Sequence, residues 1–139
     1  MLKNIVLAFD GSEYSNRALQ YAKTFAERFE ATLWLVHIFT HTSDLLGYED
    51  YEKLYSKRKA SGQTLLGVAL QELSNTKLDV REKLEEGPEA ESILNIAKNC
   101  NADLIVMETR GHGKLKDLLV GSVSRKVIHH SLCPVMVVH

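Results

Sequence analysis

The chain has 139 residues, of which 45% are hydrophobic and 25% charged, so it is long and apolar enough for one domain with a buried core. Its 17 Lys and Arg residues against 18 Asp and Glu residues give a net charge of -1, which does not support bulk attraction to nucleic acid or to an acidic membrane. No apolar run approaches the length of a membrane span, and the segment MLKNIVLAFD does not read as a signal peptide. We therefore expect no membrane or nucleic-acid partner. Because Cys100 and Cys133 lie in no metal or redox spacing, we expect reduced thiols in a cytoplasmic protein.

The first part of the chain predicts a strand, a helix and a second strand. Residues 3–9 form a short buried strand, and either Ser12 or Ser15 caps the helix that follows. The apolar stripe of that helix consists of Ala18, Leu19, Ala22, Phe25, Ala26 and Phe29. The continuous apolar run 31–39 is typical of a strand covered on both faces, and residues 40–50 indicate a loop.

The middle of the chain predicts a long helix, an edge strand and a shorter helix. The long helix spans about 49–74, although Gly62 and Gly67 weaken this prediction. Residues 78–84 alternate between apolar and polar side chains with one slip, which favours a half-exposed edge strand. The next helix begins at the Gly-Pro pair 87–88, since proline is tolerated in a first turn.

The last part of the chain predicts a buried strand at 103–107, a glycine-bearing loop at 108–121, a helix at 122–130 and a terminal strand at 134–138. The alternation of strands and helices indicates an α/β fold in one domain, residues 1–139, with a parallel sheet between two layers of helices.

Ligands of such sheets bind beyond the carboxyl ends of strands where the winding reverses. Two loops qualify here, namely the Asp-Gly-Ser turn at 10–12 and the segment 108–121. Gly121 and Ser122 directly precede a helix, whose N-terminal N–H groups favour phosphate. The segment is neither a P-loop nor a dinucleotide fingerprint, so its spacing leaves both a phosphate cradle and a plain tight turn open.

Five segments of the chain resemble a single-domain universal stress protein of the UspA type. They are IVLAFDGSEYSNRAL at 5–19, LWLVHI at 33–38, the Gly-Pro pair at 87–88, DLIVMETRGHG at 103–113 and GSVSRKVIHHSLCPVMVV at 121–138. The resemblance implies a three-layer α/β sandwich of the adenine-nucleotide alpha hydrolase-like class, with a five-stranded parallel sheet in the order 3-2-1-4-5. It also implies a homodimer that pairs through the terminal strand, Pro134 to Val138, and, for one branch of the family, bound ATP or AMP.

The nucleotide-binding branch carries the pattern G-x2-G-x9-G-[ST]. On this chain Gly111, Gly121 and Ser122 match its second glycine, third glycine and hydroxyl residue. Glu108 stands at the first glycine position and departs from the pattern.

The resemblance also assigns roles to individual residues. Asp10 would border the adenosine, while Ile38 and Met107 would contact the base. The residues that would receive the phosphates, largely through backbone groups, are Gly111, Gly121, Ser122 and Val123. The whole implied site consists of Ala8, Asp10, Ile38, Met107, Gly111, His112, Gly113, Gly121, Ser122, Val123 and Ser124. Whether Mg²⁺ or Mn²⁺ accompanies the nucleotide stays open, and we predict no catalytic residue and no protein metal site.

Glu108 opposes this site because its side chain takes up space and its carboxylate repels phosphate. At about 5 Å and an effective dielectric of about 20, the repulsion is roughly 3 kcal/mol per unit charge. Four arrangements would relieve it. In these alternatives Glu108 points to solvent, pairs with Arg110 or Lys114, shares a divalent cation with the phosphates, or bonds a ribose hydroxyl.

Other conspicuous side chains have structural interpretations. His37 is expected at the edge of the core and Trp34 within it, rather than as a metal ligand or a base-stacking platform. His129 and His130 fall in the last turn of a helix, where positive charge is favourable.

Three function classes follow from the sequence. The first is a cytoplasmic stress-response module that binds an adenine nucleotide and signals as a dimer. The second is a dimeric interaction protein that has lost the nucleotide because of Glu108. The third is a slow ATP hydrolase, in which Asp10 would help to place a metal and Ser122 the phosphates.

Overall fold

The computed structural model describes residues 1–41, 47–109 and 121–139, and in them five strands alternate with four helices. The elements are β1 (Asn4–Ala8), α1 (Glu13–Phe29), β2 (Thr32–Phe39), α2 (Tyr48–Glu72), β3 (Val80–Glu86), α3 (Glu89–Asn99), β4 (Leu104–Glu108), α4 (Ser122–His130) and β5 (Val135–Val138). The bounds agree closely with the predicted ones. The edge strand β3 lies two residues further along than the predicted 78–84.

The five strands form one parallel sheet in the order β3-β2-β1-β4-β5, which confirms the predicted topology. In the middle of the sheet, Val6 of β1 is in register with Trp34 of β2 and with Ile105 of β4. The chain winds from β1 outward to β3 and then crosses back to β4. The winding direction therefore reverses between β1 and β4, which is where parallel α/β sheets open a crevice for ligands.

Alternate residues of the central strands face opposite sides of the sheet, and each side carries its own core. On one side Leu7 and Leu35 pack with the apolar faces of α1 and α2. On the other side Val6 and Val36 pack with α3 and α4, including the buried Val127. Both faces of the central strands are covered, which explains why their sequences are continuous apolar runs.

Helix α1 begins at the cap that one of the two predicted serines provides. Ser12 accepts a hydrogen bond from the backbone N–H of Ser15 at 3.2 Å, and the Ser15 hydroxyl donates back to the Ser12 carbonyl at 2.8 Å. The apolar stripe is shorter than predicted, since Phe29 is 49% exposed. Phe29 ends the helix beside Glu30, whose left-handed backbone (φ 53°) turns the chain towards β2.

The two glycines of α2 occupy different environments. At Gly67 an added Cβ would meet no atom within 4 Å. At the buried Gly62 it would lie 2.6 Å from Cδ1 of Leu84 and 3.1 Å from Cδ2 of His37. Gly62 therefore allows α2 to approach β2 and β3 closely, and only Gly67 is the simple weakness in the helix that the sequence suggested.

Trp34 is half-buried at the edge of the core, so the expectation that it lies within the core is only partly right. Its indole N–H donates to Oδ1 of Asn4 at 3.1 Å. The cationic groups of Arg81 and Lys83 lie 5.3 and 5.9 Å from the ring centroid. Because these cations come from the exposed edge strand β3, the Trp34 ring is shielded by charged side chains as well as by apolar ones.

Helices α3 and α4 have charged ends that complement their dipoles. Pro88 caps α3 rather than starting it, and Glu89 and Glu91 lie in the first turn. His129 and His130 lie in the last turn of α4, as predicted.

None of the helices in the described ranges is both long and apolar enough to cross a bilayer.

Candidate functional site

A cleft of about 830 Å³ opens at the carboxyl ends of β1, β2 and β4. Its walls come from the turn after β1, the end of β2, the N-terminal half of α2, the turn before α3 and the end of β4. The volume lies in the upper part of the range that ligand pockets occupy, which is roughly 300–1,000 Å³. The cleft adjoins the point where the sheet reverses its winding, so topology and shape indicate the same site.

The turn after β1 is held by Asp10, which also lies beside the cleft. Its Oδ1 accepts a hydrogen bond from the backbone N–H of Ser12 at 2.8 Å, which fixes the turn into α1. Gly11 between them has a φ of +82°, which favours glycine, and packs against Leu65 of α2. The Asp10 side chain also lines the cleft, where a ligand can reach it.

The end of β2 contributes His37, which occupies the core-edge position expected from the sequence. Its Nδ1 lies 2.8 Å from the backbone carbonyl oxygen of Phe9. A carbonyl only accepts, so Nδ1 carries the hydrogen and Nε2 of the neutral ring is an acceptor. His37 also lines the cleft, a position that the sequence analysis did not assign to it.

The α2 wall of the cleft was missed from the sequence altogether. It consists of Leu54, Lys57, Arg58, Ser61, Gly62 and Leu65, which share one face of the helix. Arg58 closes this wall onto the end of β2, because its Nη1 donates to the carbonyl oxygens of Thr40 at 3.2 Å and His41 at 3.1 Å. The only signal in the sequence is the helical spacing, and a mixed polar and apolar row at that spacing is also typical of a plain helix surface.

The turn before α3 closes the floor of the cleft next to β2. The backbone N–H of Gly87 donates to the Phe39 carbonyl at 2.8 Å. Nδ1 of His41 lies 3.3 Å from a carboxylate oxygen of Glu86. Glu89, the first residue of α3, lines the cleft beside this turn.

Six of the predicted site residues meet on the other face of the sheet, around a separate cavity. They are Ala8, Asp10, Ile38, Met107, Val123 and Ser124. This cavity has a volume of about 10 Å³, which is the space of about one water molecule. Asp10 and Ile38 line the large cleft as well, whereas the other four do not. The structure thus brings the predicted adenosine residues together, but around a space smaller than a base.

Glu108 lies between the two cavities and lines both of them. The residue is only 5% exposed, so the suggestion that its side chain points to solvent is wrong. The last residue of a central strand is covered by its neighbours on both faces, which explains this burial. Pairing with Arg110 or Lys114 concerns residues outside the described ranges.

Ser124 ties the first turn of α4 to the end of β4. Its hydroxyl donates to the backbone carbonyl of Glu108 at 3.0 Å, and the residue is 1% exposed. In this structure the hydroxyl hydrogen of Ser124, one of the implied site residues, is therefore donated to a carbonyl of the protein.

The predicted phosphate residues are only partly described. Gly111, His112 and Gly113 fall in the segment that the structure does not describe. Gly121 is the N-cap of α4, Ser122 is exposed and Val123 is half-buried. The first turn of α4 carries no acidic residue, so its N–H groups face no carboxylate from their own helix. In the part of the chain with described coordinates, no group of three or more His, Cys, Asp or Glu residues is arranged to hold a metal ion.

Comparison with known proteins identifies relatives over the whole chain. The sequence profile of the universal stress protein family matches residues 1–139. A Thermus aquaticus protein, named universal stress protein in QAH/OAS sulfhydrylase 3'region, is 37% identical over 138 residues, covering 99% of both chains. The Bacillus subtilis universal stress protein YxiE is 32% identical over 147 residues, also covering 99% of both chains. The solved structure of the hypothetical protein MJ0577 superimposes with a TM-score of 0.88 at 29% identity, covering 99% of this chain and 96% of that one.

Two more distant structures show the fold alone. A universal stress protein in complex with cAMP has a TM-score of 0.76 at 24% identity, covering 99% of this chain and 97% of that one. The universal stress protein from Archaeoglobus fulgidus in complex with dAMP has a TM-score of 0.62 at 20% identity, with full coverage of both chains.

Proposed function

The chain belongs to the universal stress protein family, and we propose that it is a cytoplasmic regulatory module that binds an adenine nucleotide, ATP or AMP, where β1 and β4 diverge. The observation that carries the proposal is the meeting of Asp10, Ile38 and Met107 beside a cleft of about 830 Å³ at this reversal of the sheet. We take residues 1–139 as a single functional unit.

The shape of the two cavities suggests how the nucleotide lies. The base enters from the large cleft, because Asp10 and Ile38 border both spaces and the inner one is too small for it. Met107 and Val123 then shift to widen the inner cavity around the base. The phosphates run towards Gly121 and Ser122 at the N-terminus of α4, where free N–H groups and the helix dipole favour negative charge.

The relatives support a nucleotide in general rather than a particular one. The cAMP and dAMP complexes are properties of those two proteins, and their extension to this chain is part of the proposal. The described site offers a phosphate-binding helix end and no ordered nucleophile and base beside it, so we propose binding and signalling, with at most slow hydrolysis of ATP. A divalent cation such as Mg²⁺ would bind through the phosphates and not through a protein cage.

Signalling would pass through a homodimer. Strand β5 is an edge of the sheet, and its residues Val135, Met136 and Val137 are only half-buried in the single chain. An apolar edge strand of this kind associates unless it is covered. We propose that Pro134 to Val138 pair with the same strand of a second copy about a two-fold axis.

One observation favours a second function. Glu108 is a buried carboxylate at the point where the nucleotide would pass. If it blocks the site, the chain is a dimeric interaction protein that has lost the nucleotide.

Titration calorimetry on the full chain separates these functions. We expect heat of binding with ATP and AMP and none with GTP, because the contacts at Ile38 and Met107 are made to the base. Absence of heat with either adenine nucleotide at high micromolar concentration, together with binding in Glu108→Gly, would establish the interaction protein instead. Ser122→Ala tests the phosphate end of the site, and we expect it to weaken the binding of ATP more than the binding of adenosine.

A further inference from the structure

The large cleft extends well beyond the residues proposed to hold the adenosine. Past Ile38 it continues between the end of β2 and α2, and none of the implied site residues that the structure describes lies there. We propose that this part of the cleft is a second subsite, which binds a phosphate monoester or inorganic phosphate against Lys57, Arg58 and Ser61 of α2. The subsite does not depend on the proposed nucleotide function.

The positions of the three side chains carry this inference. Residues 57 and 58 lie about one helical turn before residue 61, and all three line the cleft. Two positive charges and a hydroxyl group thus face one space. An oxyanion with several acceptor oxygens is the ligand that such a set of donors recognises.

Arg58 is held in place before any ligand arrives. Its Nη1 donates to the carbonyl oxygens of Thr40 and His41, and neither of these partners carries a charge. Across residues 1–41, 47–109 and 121–139, neither Lys57 nor Arg58 forms an ion pair. A guanidinium that is anchored through one nitrogen keeps further N–H donors in a fixed plane, which is the geometry that phosphate prefers.

The distribution of charge across the cleft places the anion on the α2 side. Asp10 and Glu108 lie at the ends of β1 and β4, on the strand side of the cleft, and Glu89 lines it beside the turn before α3. Glu86 at the end of β3 directs its carboxylate to His41. A phosphate against α2 therefore meets cations, whereas one against the strand ends meets carboxylates.

The test titrates the full ¹⁵N-labelled chain with inorganic phosphate and with ribose 5-phosphate, against sodium chloride at equal ionic strength. We expect saturable amide shifts at residues 57–62. The variant Lys57→Gln should weaken phosphate binding by about tenfold, because it removes a charge-assisted contact. Lys59→Gln is the matched control, since Lys59 is exposed on the same helix and does not line the cleft. It should bind within about twofold of the parent chain.

Arg58→Gln is expected to weaken binding as well, but it also removes the contacts to β2, so Lys57→Gln decides the matter. Equal phosphate affinity in Lys57→Gln and Lys59→Gln, or an absence of saturable shifts in the parent chain, would overturn the proposal. Adenosine, which has no phosphate, reports on the base site alone, so failure of the two sites can be told apart.

Adding ATP identifies the source of the phosphate. If ATP competes with inorganic phosphate, a phosphate group of the nucleotide occupies the subsite. If both bind at the same time, the subsite takes a phosphate from a separate molecule.

Discussion

On the side of β1 and β4, the cleft ends in Asp10 and the buried Glu108, two positions to which the resemblance to the family draws attention. On the α2 side it presents Lys57 and an anchored Arg58, and no pattern marks them. The two sides therefore differ both in charge and in how they are recognised. The difference teaches that a motif identifies the residues around one part of a ligand, while the shape of the fold determines how much further the site extends.

Removing the carboxylate from the strand side should have the largest effect. We expect Glu108→Gly to raise ATP affinity by at most about two orders of magnitude, since roughly 3 kcal/mol is the repulsion from a carboxylate that no other group compensates. Glu108→Gln keeps the size of the side chain without its charge, so it separates the two causes. Calorimetry with ATP and adenosine measures both variants. If neither variant changes the affinity for ATP, Glu108 does not oppose the phosphates, and the proposed difference between the two sides in their effect on phosphate is wrong.

The distance between the two sides depends on Gly62. Gly62→Ala places a Cβ against Leu84 and His37, so we expect the free energy of unfolding to fall by about 1–3 kcal/mol. Gly67→Ala lies in open space on the same helix and should raise it by about 0.5–1 kcal/mol, since alanine favours the helix. Urea unfolding of both variants gives the comparison. Equal effects of the two substitutions would show that α2 does not pack closely on the sheet.

The two serines at the start of α4 sharpen the description of the strand side. Ser124→Ala removes the hydroxyl that bonds the Glu108 carbonyl, and we expect a loss of about 1 kcal/mol in stability. Ser122→Ala changes an exposed residue, so its stability should stay within about 0.5 kcal/mol of the parent chain while its affinity for ATP falls. Thermal unfolding and calorimetry measure the two quantities. A stability loss in Ser122→Ala that matches the one in Ser124→Ala would contradict these assignments.

The smallest effect concerns a carboxylate remote from both sides. The backbone N–H groups of Asn4 and Lys3 donate to Asp103 at 2.9 and 2.8 Å, and they lower the pKa of its carboxyl below the ordinary 3.8. Stability from this group is present above pH 3.8 and is lost as the pH falls through the lowered pKa. The difference in urea midpoint between the parent chain and Asp103→Asn should therefore shrink below pH 3.8. A difference that grows in acid would reverse the sign of this contribution.

The fold could be predicted from the sequence because each element depends on local patterns. Apolar runs identify the central strands, and the spacing of Ala18, Leu19, Ala22 and Ala26 identifies the buried face of α1. The order of the strands came from the resemblance to a family, and the structure confirms it.

The parts of the site that escaped prediction depend on packing between distant elements. Glycine is favoured at position 62 because Leu84 and His37 lie close to it. Both residues are on other elements, and no helix pattern marks them. The burial of Glu108 results from cover on both faces of β4, and the hydroxyl of Ser124 is taken by a carbonyl that is sixteen residues away in sequence. The α2 wall follows from how closely that helix approaches β2, which no local spacing reveals.

The most direct test of the proposed nucleotide site is a titration of the ¹⁵N-labelled full chain with AMP, followed by amide chemical shifts. The account predicts saturable shifts centred on Ile38, Met107 and Val123, together with the N-terminus of α4. Shifts confined to other surfaces, or no saturable shifts at millimolar AMP in both the parent chain and Glu108→Gly, would contradict it.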